Sequence, residues 1–113
     1  MSDFLEWSEF ERVQIRTGTI IRAEVFAEAK KPAYKLWIDF GVELGTKKSS
    51  AQLTAHYSVD ELIGKQIVAV VNFPPKQIGP IHSECLVLGA LEPSGGVVLL
   101  QTERPIANGL RIA

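Results

Sequence analysis

Tyr34, Leu36, Ile38 and Phe40 recur at every second position through residues 34–40, with Lys35, Trp37 and Asp39 between them. A period of two sends successive side chains to opposite faces, so this stretch predicts a half-buried β-strand. Residues 12–22 predict an earlier strand, with Val13, Ile15 and Thr17 alternating with polar neighbours until Gly18 interrupts the run. An isolated glycine inside a strand predicts a bulge that lets a long strand bend. Residues 41–45 read as a turn, and residues 46–54 as a weaker third strand with one side facing solvent. Two apolar runs, 66–72 and 84–91, read as buried fourth and fifth strands. Pro93-Ser94-Gly95-Gly96 then turns the chain into a further apolar run, 97–101.

Two short helices complete the pattern. Ser58 and Glu61 have the spacing of a capping box, in which each side chain satisfies a backbone N–H of the other residue. Leu62 and Ile63 supply an apolar face and Gly64 a stop, placing a helix between strands three and four. Near the N-terminus, Phe4, Trp7 and Phe10 recur every three residues with Leu5 beside them, while Glu6 and Glu9 fall on the other side. Asp3 with Glu6, or Ser8 with Glu11, has the spacing to cap this segment. So short a helix is marginal alone and needs a surface, either its own barrel or a second copy of the chain. Three strands, a helix and two or more further strands is the order of a five-stranded OB barrel, an order that other small β-rich domains also produce. The expected organisation is a helical extension over residues 1–11 and one barrel domain over residues 12–113.

Composition fits that scheme. With 113 residues, 46% hydrophobic and 22% charged, the chain matches an ordinary globular domain able to bury about two-thirds of its unfolded surface. A single cysteine, Cys85, excludes an internal disulfide and fits a reducing compartment. No apolar run reaches the roughly 20 residues that span a bilayer, and Met1-Ser2-Asp3 does not open like a signal peptide. A cytoplasmic protein without membrane insertion is expected. The net charge of −1 conceals an asymmetry: Asp3, Glu6, Glu9 and Glu11 precede the first basic residue, leaving 12 basic against 9 acidic residues beyond them. Lys30, Lys31, Lys35, Lys47 and Lys48 would form one basic edge if strands two and three pair, or simply a solvated face.

Chemistry-bearing residues point to recognition rather than reaction. His56 and His82 each stand alone, and no carboxylate lies at a spacing that suggests a triad or a metal site. The glycines are scattered rather than grouped before a helix, so no phosphate loop or dinucleotide fingerprint is present. Neither an enzyme, a metal nor a cofactor is expected. Asn72-Phe73-Pro74-Pro75-Lys76 must be a loop, because its prolines cannot donate to a sheet ladder. Rigid strands on either side make such a loop a usual binding surface. Asn72, Lys76, Ser83 and Glu84 together can hold a ribose, a phosphate or a peptide backbone. The same residues can instead cap strand ends and pair with a nearby lysine.

Several motifs carry a more specific likeness. Ile15-Arg16-Thr17-Gly18, Pro32-Ala33-Tyr34-Lys35-Leu36-Trp37-Ile38-Asp39-Phe40-Gly41, Ser49-Ser50-Ala51-Gln52-Leu53-Thr54, Asn72-Phe73-Pro74-Pro75 and Ser83-Glu84-Cys85-Leu86-Val87-Leu88-Gly89, in that order, resemble the tRNA-binding-domain family. Within it the chain is most similar to the CsaA-type secretion-chaperone branch, and also to the domain appended to methionyl-tRNA synthetases. Gln14 and Cys85-Leu86 depart from the residues that family often carries at those places. The resemblance implies an OB fold, a homodimer, and binding of unfolded or pre-export polypeptides together with tRNA, with the secretion machinery as a further partner. A stand-alone tRNA-binding module acting in translation is the alternative. The binding set it implies is Lys35, Lys47, Lys48, Ser50, Asn72, Phe73, Pro74, Lys76, Ser83 and Glu84. Phe4, Trp7 and Phe10 with the apolar tail residues Ile106 and Leu110 would join the subunits.

Overall fold

A computed structural model describes residues 3–113; Met1 and Ser2, the start of the expected extension, lie outside the described residues. The long strand β1 (Ile15–Val25) organises the barrel, because it is wide enough to pair on both sides. Its first half runs antiparallel to β4 (Gln66–Val70), and its second half to β2 (Tyr34–Asp39). β2 pairs in turn with β3 (Thr46–Ala51), and β4 with β7 (Leu86–Val87), giving the order β3-β2-β1-β4-β7. Residues 83–85 draw the two edges together. The Glu84 N–H donates to the Lys48 carbonyl at 2.8 Å, the Glu84 carboxylate accepts from the Lys48 N–H at 2.9 Å, and Ser83 Oγ accepts from the Ser50 N–H at 3.3 Å. The fold is thus mainly β, a five-stranded OB-type barrel.

The alternation in β2 fixes its core. Tyr34, Leu36, Ile38 and Phe40 point inward, where Leu36 and Ile38 lose all exposure against Ile20, Ile67 and Leu62. Leu62 belongs to α3 (Val59–Leu62), whose start carries the expected capping box: Ser58 Oγ accepts from the Glu61 N–H, and the Ser58 N–H donates to the Glu61 carboxylate at 2.6 Å. The C-terminal tail is tied down as well. The Thr17 N–H donates to the Leu110 carbonyl at 3.0 Å and the Ile112 N–H to the Ile15 carbonyl at 2.9 Å, so the tail extends the sheet beside β1.

Four expectations require correction. Gly18 is not a bulge: it pairs with Ile67 in a regular ladder, and the register instead shifts between Ile20 and Arg22. Glycine is required because a Cβ there would lie 2.7 Å from Ile38 Cγ2 and from the Phe40 ring. Residues 41–45 form a helical turn, α2 (Gly41–Leu44), anchored by Asp39 Oδ1, which accepts from the Gly41 N–H at 2.8 Å. The third strand ends at Ala51, because the chain bends there to bury Leu53 in the core.

The fourth correction concerns the first helix. α1 (Trp7–Glu11) starts only after Glu6, so the residue three positions into the cap is Glu9. Its carboxylate accepts from the Glu6 N–H at 2.9 Å, replacing the Asp3–Glu6 and Ser8–Glu11 pairings. The two aromatic residues of the helix differ: Trp7 is 84% exposed, whereas Phe10 keeps only 37% of its surface open. One hairpin was not anticipated, β5 (Lys76–Ile78) with β6 (Ile81–Ser83), whereas the expected turn at residues 93–96 joins β8 (Gly89–Leu91) to β9 (Val97–Leu99). No helix among the described residues is long and apolar enough to cross a membrane.

Candidate nucleic-acid interface

Antiparallel pairing of β2 with β3 sorts the lysines by face. Lys35 stands opposite Ser50 and Lys48 opposite Trp37, all on the outward side, whereas Lys47 stands opposite Ile38 and belongs to the other face. The five lysines therefore do not form a single edge. Lys30 and Lys31 lie in the β1–β2 loop, and this loop, β3 and the β5–β6 hairpin enclose a groove of about 680 Å³. Lys30, Lys31 and Lys76 bring three cations to it, with Glu28 the single carboxylate among its lining residues. Ser50, Gln52 and Gln77 add neutral hydrogen-bonding groups. Local sequence explains the walls: Phe26 is buried beneath the hairpin, with its ring 3.5 Å from where a Gly79 Cβ would stand, and Lys35 Nζ lies 5.4 Å from the centre of the same ring.

Of the residues singled out in the sequence, Ser50 and Lys76 line this groove and Lys35 borders it. Asn72 does different work. Its Nδ2 donates to the Arg12 carbonyl at 2.7 Å and its Oδ1 accepts from the Gln14 N–H at 2.9 Å, clipping the loop to the chain entering β1. Ser83 and Glu84 spend their polar groups on the β3 seam described above. Phe73 and Pro74 remain exposed beside the clip, with Phe73 56% accessible. Cys85 is buried behind the seam, where loss of solvent pushes its thiol up to about 12, so it is held as a neutral thiol. Among the described residues no cluster of His, Cys, Asp and Glu is arranged to hold a metal.

Sequence reasoning left Lys30, Lys31 and Gln52 out of the binding set. The charge count contained the first two, but their place opposite Lys76 depends on a hairpin that the proline-rich run concealed. A second cleft of about 480 Å³ lies between β4 and the tail. Its central polar side chain, Gln66, is committed to the Ile106 carbonyl and N–H and to Thr102.

The five-stranded barrel is of the OB class, and its groove between the β1–β2 loop, β3 and the β5–β6 hairpin is lined by three lysines. The family model described as "Putative tRNA binding domain" matches residues 15–111, and the chain belongs to that family. Its structure is similar to that of the chaperone CsaA from Bacillus anthracis str. Ames, at 50% identity and a TM-score of 0.92, covering 97% of this chain and 99% of that one. The CsaA chaperone protein from Picrophilus torridus is alike at 49% identity and a TM-score of 0.90, covering 97% of this chain and all of that one. A methionine–tRNA ligase from Methanococcoides burtonii is 33% identical over 107 residues, which are 95% of this chain and 15% of the ligase. The chain thus spans only about a sixth of the length of the ligases it matches.

Proposed function

We propose that this chain is a non-catalytic, CsaA-like protein that binds tRNA through the groove between the β1–β2 loop and the β5–β6 hairpin. The observation that carries the reading is the convergence of Lys30, Lys31 and Lys76 over β3, in the region where OB barrels take oligonucleotides. Phosphate contacts of this kind dominate affinity and release counterions, so binding should weaken steeply with salt. Lys76→Ala should weaken tRNA binding and reduce the logarithmic salt slope by about 0.7 to 0.9, the share of one phosphate contact. Binding that is insensitive to salt, or absent at low salt, would defeat this reading.

A second activity, holding unfolded or pre-export polypeptides, is favoured by the exposed Phe73 between Asn72 and the two prolines. Apolar burial of about 25 cal/mol per Å² would drive it, so it should survive salt that abolishes tRNA binding. Titrating tRNA into a complex with an unfolded reporter tests both at once: release at low salt alone indicates overlapping surfaces. Phe4, Trp7 and Phe10 with Ile106 and Leu110 would meet a second copy, making a homodimer with two grooves. Light scattering should show a dimer that weakens on removal of residues 1–11. A cytoplasmic location and contact with the secretion machinery belong to the same reading.

A further inference from the structure

We propose that the outer wall of the barrel carries a stacking site for one unpaired RNA base, built from Arg22 and Trp37. The proposal rests on the tRNA-binding reading and adds to it a contact outside the groove. The β1–β2 register places Arg22 opposite Trp37, and the guanidinium carbon lies 4.4 Å from the centre of the indole ring. Arg22 Nε also donates to the Glu24 carboxylate at 2.8 Å, so the cation is held at two points while its side chain keeps 61% of its surface open. Guanidinium planes and aromatic rings are the surfaces on which unpaired bases stack, and a group already held in place loses little freedom when the base arrives.

The surroundings suit a nucleotide. Lys48 stands directly across from Trp37, and Lys35 is in the next cross-strand row, between Glu24 and Ser50, so two basic residues flank the stack. Glu24 and Asp39 are the carboxylates on this side of β1 and β2. Both are engaged, Glu24 with Arg22 and Asp39 with the Gly41 N–H. Ser50 stands opposite Lys35 and also lines the groove, making the wall continuous with it. A single strand leaving the groove would cross the platform. The β2–β3 face thus combines a cationic path with an aromatic step, the arrangement that single-stranded nucleic acid uses on OB barrels.

Trp7 and Trp37 are the two tryptophans of the chain, so the Trp7→Phe variant reports on the platform alone by fluorescence. In that background, a short oligoadenylate should quench Trp37, while an abasic oligonucleotide of equal charge should not. Trp37→Ala should weaken oligoadenylate binding roughly 5- to 150-fold and leave the abasic probe unchanged. Trp37→Phe should retain most of the affinity, and Arg22→Lys, which keeps charge without the plane, should lose part of it. If tRNA binds with a slope set by the groove lysines but Trp37→Ala affects both oligonucleotides equally, the platform is wrong and the groove stands. Quenching by a reduced, carboxymethylated protein but not by oligoadenylate would assign the wall to polypeptide and overturn the proposal. If the unaltered chain binds no RNA at all, both readings fall.

Discussion

β2 and the segment around α1 are both rich in large apolar residues, yet their fates are opposite. In β2 the period-two pattern meets a matching surface within the chain, and Leu36, Ile38 and Phe40 vanish into the barrel. Around α1 the spacing of three is not matched in the same way, and Trp7 stays 84% exposed. The pattern of apolar positions therefore states what a segment needs to bury but not what will bury it.

The sharpest way to break that contrast is truncation. Leu36→Ala or Phe40→Ala should cost about 3–5 kcal/mol in denaturant unfolding, through lost burial and the cavity left behind. Trp7→Ala, measured on dilute protein, should change stability by less than about 0.5 kcal/mol. A loss at Trp7 comparable with that at Leu36 would mean that α1 packs on its own barrel.

A smaller effect is expected at Gly18, where the barrel wall is tightest. Gly18→Ala forces a methyl group against Ile38 and Phe40, and should destabilise the fold by about 1–3 kcal/mol through overpacking. A neutral result would show that these side chains can move aside, and that the wall is less rigid than β2 suggests.

A pH-dependent effect concerns the seam. Because burial raises the Cys85 thiol from 9.0 to about 12, the folded chain keeps a proton that the unfolded chain loses in between. Stability should therefore be unaffected by this group below pH 9 and decline between pH 9 and 12. Cys85→Ala should remove that component of the alkaline decline. An unchanged profile in this variant, or rapid alkylation of native Cys85 near pH 8, would show that the seam opens readily.

Much of the fold was legible because local signals carried it. The alternation of residues 34–40 specified β2, and Ser58 with Glu61 specified the start of α3. Gly18 misled because a glycine in a strand has two physical meanings, a bulge or a close approach, and only the neighbouring strand decides between them. The β5–β6 hairpin was hidden by the prolines before it and the weak patterning of its strands. For the site, Ser50 and Lys76 were legible as polar motif residues. Lys30 and Lys31 were visible only as charge, since their convergence with Lys76 is set by two loops far apart in sequence. The Arg22–Trp37 stack could not be read at all: it depends on a register shifted by the irregularity between Ile20 and Arg22.

The most direct test of the groove is amide chemical-shift mapping during titration with tRNA. Binding in the groove predicts that the largest changes fall on residues 28–33, 50–52 and 76–79, and that they diminish together as salt is raised. Changes confined to residues 3–11 and 105–112, with those three segments silent, would contradict it.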